Sequence, residues 1–548
     1  MTPLRDDSGR AWIDVRLRPG VRATWRVRGG DLSGWLRARY YGATKRPLHR
    51  EAVQTVLDAL DAEALAAGET VRTAVRVHVD LPRRVIVDLC DSDWRIVEVT
   101  PDGWRVRPAA EIADVRMIRW PGMQALPLPV RRPDAWRALR RLLPVDDAGW
   151  ILAVSWLLGA VGPHPYPILA VAGEAGAGKS TLCDLIRCVI DPTTVRRRRP
   201  PRDERDVYIA ASHAHVLGLD NLSGVPDWLS DALCGLATGG GFATRSLYTD
   251  EDETLFAGAR PILLNGIAAV GHRSDLRDRL LPVTLPEALE DRGALRSEAD
   301  LRCDYEAIRP GVLAAVLDAV SAALRYWPEV ETPRVRMADF ARWIAAAERG
   351  GATPWPAGTA LAVIREARLA GARQAVEDDP WTAAVVSTVD AAGGVWTGTA
   401  ADLLAATCDR VPVTARGRTW PDTPRAVGSY LRRVAPDLRR GVGVEVEVGV
   451  RRGHGSPRII TIRKVCIRPS PSSPASPTAS GLCDRGDGHG DDVGDDAPDR
   501  LHTVSIPSPS DNESNRTLTP HGDGGDGGDD VLPTVSESEL LIVEVDDG

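Results

Sequence analysis

Lysine is almost missing from this chain. Only Lys45, Lys179 and Lys464 stand among 68 lysine and arginine side chains in 548 residues. Positive charge here is arginine's work, so a lysine kept in place needs a specific reason. Asparagine is equally scarce before residue 466, where only Asn221 and Asn265 occur, and phenylalanine appears three times. The eight cysteines (Cys90, Cys183, Cys188, Cys234, Cys303, Cys408, Cys466, Cys483) form no CxxC pair and have no histidine at ligand spacing. That excludes a disulfide framework and a zinc site as organising devices. No basic-then-apolar leader opens the sequence, and its most apolar run, 150–161, is too short to cross a bilayer. The expectation is a reduced, cytoplasmic protein with no membrane partner.

What is present suits a large globular body with a different tail. Hydrophobic residues make up 43% of the chain, and its length suits roughly three or four domains. The net charge of −8 averages two unlike parts. From Arg468 onward about 18 acidic side chains face 4 basic ones, leaving the body near +6.

The surviving central lysine sits in Gly173-Glu174-Ala175-Gly176-Ala177-Gly178-Lys179-Ser180, followed by Thr181, which fits the phosphate-binding pattern G-x-x-x-x-G-K-[ST]. An apolar run at 168–172 reads as a buried strand entering the loop, and Leu182, Leu185, Ile186 and Val189 carry helical spacing out of it. Glycines let backbone N–H groups curl around phosphates at a helix N-terminus, Lys179 reaches the β- and γ-phosphates, and the Ser180 hydroxyl can ligand Mg²⁺. The competing explanation is a glycine-rich turn that only spells the pattern. ATP with Mg²⁺ is the ligand the loop predicts.

Further along, the apolar run 215–219 ends in Asp220, where a carboxylate can hold Mg²⁺ beside the loop. The next position, where a second acid often positions the attacking water, is Asn221. The water-orienting group is then Asn221 itself or an acid on the following helix, Asp227 or Asp231. Another apolar strand, 260–265, ends in Asn265, placed to sense the γ-phosphate. Arg279, or else Arg273, can reach a neighbouring subunit's nucleotide, with a surface salt bridge as the plain explanation of either. Between these strands a glycine hinge, 239–241, precedes a hairpin-like stretch whose Arg245 and Tyr248 could grip single-stranded DNA, or which could simply pack at an interface. The basic run 196–202 suits a nucleic-acid backbone or a solvated loop equally well.

The flanks are organised differently. Residues 1–130 mix strand-like runs with a helix near 51–66 and read as an α+β accessory domain, in which Trp94, Trp104 and Trp120 are read as core rather than base-stacking residues. Residues 131–375 read as the nucleotide-binding domain with a helical lid. Residues 379–466 hold three helical patterns and two strands, the order of a winged helix, with Arg432 and Arg433 on the third helix and Arg451 and Arg452 at the hairpin tip offered to DNA. A solvated arginine face is the alternative. Residues 467–548 have the composition of a disordered acidic tail.

In order, the loop lysine, Leu219-Asp220-Asn221, the Thr244–Asp250 insert, Leu264-Asn265 and 275–279 resemble the ATP-binding proteins of actinobacterial prophages and integrative elements. Those in turn are similar to superfamily 3 helicases of the AAA+ class, the helicase half of phage and plasmid primase-helicases. The resemblance is clearest over 145–290 and departs from the paired-acid pattern at Asn221. It implies an α/β P-loop NTPase core of the AAA+/superfamily 3 kind, a ring that is usually a homo-hexamer, ATP between subunits and DNA in the pore. The expected function is a DNA-dependent ATPase, a replicative helicase of a mobile element. Two alternatives stand beside it, an ATP-gated DNA-binding switch without motor activity and a small-molecule P-loop kinase.

Overall fold

Alternating burial along the first strands sets the architecture of the N-terminal region. In the computed structural model, which describes residues 1–245, 253–256, 258–266, 273–289, 296–417, 420–449 and 458–465, β1 (Thr2–Asp6), β2 (Ala11–Arg18) and β3 (Val21–Arg26) form an antiparallel meander. Two helices come next, α1 (Gly30–Thr44) and α2 (Arg50–Ala67), and β4 (Glu69–Ala74) returns parallel to β1. The strand read from sequence over 72–79 is interrupted, because Arg76 adopts a left-handed backbone at φ 63°. Beyond it β5 (Val77–Asp80), β6 (Arg84–Asp88), β7 (Arg95–Thr100) and β8 (Gly103–Pro108) form a second, antiparallel sheet. The β7–β8 turn runs through Pro101-Asp102-Gly103, with Gly103 at φ 138°. The short β9 (Val115–Met117) then completes the first sheet in the order β3-β2-β1-β4-β9.

The second sheet packs directly on the helices of the central region, with no clean break between them. Val85, Val87, Val97 and Val99 share one core with Leu139, Trp156, Val316 and Leu317. The Trp104 indole donates to Asp318 at 2.8 Å and the Ser321 hydroxyl to the carbonyl of Thr100 at 2.7 Å.

After α3 (Ala135–Leu142) and α4 (Asp147–Gly159) comes a wholly parallel sheet. Its first strand, β10 (Ile168–Ala172), leads through the glycine loop into α5 (Lys179–Ile190). Next are α6 (Glu204–Ser212), β11 (Leu217–Leu222), α7 (Asp227–Thr238) and a small antiparallel hairpin of β12 (Phe242–Arg245) with β13 (Glu253–Phe256). Then β14 (Ile262–Gly266), the single turn α8 (Ser274–Arg277) and β15 (Leu280–Thr284) complete a sheet in the order β11-β14-β10-β15. Both faces are covered, which is why these strands read as unbroken apolar runs. The run 150–161 covers most of α4 and the turn after it, and every residue of it is buried. The stretch Glu298–Glu329, which contains α9 (Glu298–Tyr326), is long and apolar enough to cross a membrane, yet 72% of its apolar window is buried in the protein core.

The last region adds α10 (Ala338–Arg349), α11 (Thr359–Asp378), α12 (Pro380–Ala391), β16 (Val395–Thr399), α13 (Ala400–Cys408), α14 (Pro424–Val442), β17 (Val444–Val448) and β18 (Ile459–Lys464). Strand β16 was not expected from sequence; it pairs with β18 to make a three-stranded sheet, β16-β18-β17. Trp381, Leu403, Leu431 and Ile462 form its separate core. At Gly441 of α14 an added Cβ would lie 2.7 Å from the Ala372 backbone of α11, so only glycine allows this approach. The acidic tail lies outside the described residues.

One buried titrating group links the approach to β11 with the end of α4. The His215 Nε2 lies 2.6 Å from the Ala160 carbonyl, and burial pushes the imidazole down to about 4 despite the nearby Asp191 carboxylate. A folded pKa below the unfolded one means stability that is present above about 6.5 and lost as pH falls towards 4, roughly 3 kcal/mol in all. Urea unfolding at pH 7 and 4.5 should show a larger loss for the wild type than for His215→Gln. Equal losses would assign the titration elsewhere.

Candidate functional site

The loop after β10 is shaped by its glycines. Gly173, Gly176 and Gly178 have φ of 148°, 80° and 89°, conformations that L side chains resist. At Gly173 a Cβ would also crowd Leu285, 3.1 Å from its Cβ. Glu174 and Ala175 are exposed on the loop, Ala177 is buried beneath it, and Thr181 is half-buried in the first turn of α5. Because Gly178 carries no capping side chain, the first N–H groups of α5 open towards the loop. The Lys179 Nζ donates to the carbonyls of Gly173 at 2.9 Å and Glu174 at 2.6 Å, closing the loop on itself.

Three further side chains converge here from three different elements. Ser180 Oγ donates to Asp220 Oδ1 at 3.1 Å, and Asn265 Nδ2 donates to the same Asp220 oxygen at 2.6 Å and to Ser180 Oγ at 3.3 Å. Parallel register explains the meeting, since Val171 at the mouth of the loop pairs with Asn265, and β14 lies between β10 and β11. Asn265 is 2% exposed, and its Oδ1 accepts the Asn221 backbone N–H at 2.6 Å. That bond turns its amide N–H groups towards Asp220. A single hydroxyl and a carboxylate, both hard oxygen donors, fit Mg²⁺, which keeps several waters and takes few protein ligands.

Asn265 therefore holds Asp220 in this structure rather than standing free to meet a phosphate. Replacing it with Asp sets two carboxylates together and removes a donor, which should cost about 1–3 kcal/mol at pH 7.5. At pH 5 one of the paired acids can hold a proton and donate again, so the deficit relative to wild type should shrink for Asn265→Asp but not for Asn265→Ala. Thermal unfolding at both pH values reads the difference, and parallel deficits would remove the hydrogen-bonding role.

The remaining candidates lie apart. Asn221 sits at an irregularity of β11 with φ 56° and an exposed side chain, a backbone state in which asparagine is enriched. Asp227 is exposed at the start of α7, and Asp231 pairs with Arg273 at 2.8 Å. Arg279 is held within its own chain, donating to Asp275 Oδ1 at 2.6 Å and to the Asp275 carbonyl at 2.7 Å. Burial works against the Asp275 charge, but Arg279 and Arg336 hold its pKa down at about 2. Since Ile168 pairs with Leu280 and Ala172 with Thr284, Arg279 precedes β15 at the end of the sheet away from the loop, about 16 Å off at strand rise. It cannot serve the loop of its own chain.

With this geometry in view, two family matches bear on the chain. Residues 139–361 match the family described as "Actinomycete integrative conjugative element replication protein", and residues 382–476 match the "AICE RepA C-terminal domain". Together the two segments span more than half of the sequence. Over them the chain is similar to this replication-protein family. No curated protein matches significantly. Among solved structures, the chain is similar to the NrS-1 C-terminal region at 11% identity and TM-score 0.36, over 84% of this chain and 95% of that one. It is also similar to a full-length MCM homologue from Methanopyrus kandleri at 14% identity and TM-score 0.27, over 62% and 88%.

The segment similar to that C-terminal domain contains the arginines expected to meet DNA, and it is docked on the site-bearing domain. On α14, Arg432 and Arg433 are exposed, with the Arg433 guanidinium 4.2 Å above the Tyr430 ring. Further along the same helix Asp437 pairs with Arg277 and Arg440 with Asp278, so its C-terminal half is turned to α8. Arg245 belongs to β12; Tyr248, Arg451 and Arg452 lie outside the described residues. One grouping had no sequence signal at all, the buried pair of Arg76 with Asp191, 115 residues apart, beneath α5 and β11.

Proposed function

We propose that this replication protein is a DNA-dependent ATPase acting as the helicase of its integrative element. The observation that carries the reading is the meeting of Ser180, Asp220 and Asn265 within 3.3 Å at the mouth of a lysine-bearing glycine loop. In it, the loop amides and Lys179 bind the triphosphate, with Lys179 exchanging two carbonyl partners for phosphate oxygens. Ser180 and Asp220 hold Mg²⁺, which would supply charge neutralisation on the transferring phosphoryl group. Arg279, at the far end of the sheet, can meet only the nucleotide of another subunit, in keeping with a ring of P-loop domains of the AAA+/superfamily 3 type. Its release from Asp275 is then a condition of turnover. The unit of α12 to β18 acts as a winged helix, engaging duplex DNA through Arg432 and Arg433, while the ring's pore takes a single strand.

The test is steady-state ATP hydrolysis by the full chain with and without single-stranded DNA. Stimulation of several-fold or more is expected. One observation favours a second reading, an ATP-gated DNA-binding switch: Asn221 holds the place of a second acid with its side chain exposed. ATP binding with no turnover above background in the presence of DNA would move the assignment to that switch.

A further inference from the structure

A cleft of about 350 Å³ opens between the N-terminal sheet and the segment joining α6 to β11, outside both family matches on its N-terminal side. That size falls among small-molecule sites, roughly 300–1,000 Å³. Its walls combine three kinds of group. Trp25 and Trp120 supply indole faces, and the His213 ring lies 4.3 Å from that of Trp120. Burial lowers the His213 pKa, so a neutral aromatic ring stands there at neutral pH. Arg26 supplies positive charge with no hydrogen bond or ion pair of its own among the described residues, unlike Arg28 with Asp58 and Asp61, and Arg119 with Asp88. The start of α1 supplies backbone N–H groups that Gly29 leaves uncapped.

A further polar atom in the wall lacks a partner. The Trp120 Nε1, behind the exposed face of the ring and shut off from solvent, has no hydrogen-bond acceptor among the described residues, although an indole N–H buried in a protein ordinarily finds one. The one acid among the lining residues, Asp31, would repel a bare anion but can accept from an amino group. Flat aromatic walls, an unpaired cation, open helix amides and one acceptor together suit a ligand that is planar at one end and anionic at the other.

We propose that this cleft binds a nucleotide unit of single-stranded DNA, its base against Trp25 and Trp120 and its phosphate at Arg26 and the N-terminus of α1. Gly30 has nothing within 4 Å of its Cβ position, so a phosphate can approach the backbone there. His213 is four residues before β11, so a bound strand would touch the connection that leads to Asp220.

The shared chemistry, base plus phosphate, also belongs to free nucleotides, and photocrosslinking separates the sources. The full chain, without ATP or Mg²⁺, is irradiated with a 5-iodo-dU oligonucleotide or with free 5-iodo-dUMP, and the adducts are mapped by mass spectrometry. The expected result is an oligonucleotide adduct on Trp25, Trp120 or His213. Arg26→Glu, at an exposed position, should reduce it about fivefold or more, on the scale that one stacked or charged nucleotide contact contributes. Adducts there with 5-iodo-dUMP at equal yield would overturn the strand and leave a free-nucleotide site. Adducts confined to other regions, or an Arg26→Glu yield equal to wild type, would overturn the cleft itself. None of these readouts depends on hydrolysis, so failure here is distinct from failure of the ATPase assignment.

Discussion

Lys179→Ala should lower ATP turnover by about 10²–10³-fold, the usual cost of removing one preorganised charge partner of a reacting group, while leaving the unfolding temperature unchanged. The stability half rests on its contacts. Among the described residues Lys179 bonds only to the carbonyls of Gly173 and Glu174, on a loop open to water that can replace the ammonium. The turnover half rests on position, at the first residue of α5 where the loop amides converge. A further variant sharpens the test. In a chain with 68 basic residues and three lysines, arginine is the default cation, yet Lys179→Arg should also fail. On the proposed reading, a planar fork cannot replace a compact ammonium that lies among loop carbonyls and phosphate oxygens together. Phosphate release and thermal unfolding of both variants check this. Full turnover by Lys179→Arg would mean that charge alone suffices at this place.

Why that lysine could be picked out by eye, and other parts of the site could not, is a matter of range. The loop announces itself because strand, turn and helix are consecutive, with apolar period and glycine placement all local. Asp220 and Asn265 were legible as polar ends of apolar strands, and the structure sets both beside Ser180. What the sequence could not say is which way Asn265 faces, because the Asn221 N–H that orients it arrives from another strand. Arg279 shows the same limit. Its chain position suggested a residue free to reach outward, whereas Asp275, Arg336 and α14 surround that turn with charge from separate parts of the chain. In the fold, α2 and the long helices were readable from their spacing, and β16 was not, since its five residues, VWTGT, carry neither length nor clean alternation. The break in the strand at 72–79 was equally hidden. Nothing local requires Arg76 to turn left-handed; its partners do.

Those partners make Arg76→Ala the substitution with the largest expected effect on stability, about 3 kcal/mol, the low end of the cost of breaking a buried ion pair, because the more distant Arg187, 3.8 Å from Asp191, stays behind. Arg76 is fully buried and Asp191 is 1% exposed, with Arg76 Nε to Asp191 Oδ1 at 3.1 Å. The same guanidinium donates to the carbonyls of Asp88 at 3.0 Å and Gln124 at 2.8 Å, which offsets the strain of its backbone. Burial alone would raise the Asp191 pKa, and Arg76 with Arg187 reverses this to a net lowering. Without Arg76 the balance moves back, so the variant should lose less relative to wild type in acid, where Asp191 can take a proton. Asp191 also accepts from the backbone N–H groups of His215 at 3.1 Å and Val216 at 2.9 Å, so it joins the end of α5 to the start of β11. Neutralising it beside an apolar replacement of Arg76 that keeps more of its volume, as Arg76→Met with Asp191→Asn, keeps an acceptor for those amides and removes the under-compensated charge. The double variant should therefore be more stable than Arg76→Met alone, by urea unfolding at pH 7. If it is less stable, the damage lies in lost packing rather than in an uncompensated carboxylate, and the pair does not hold the N-terminal region to the two elements that present Lys179 and Asp220.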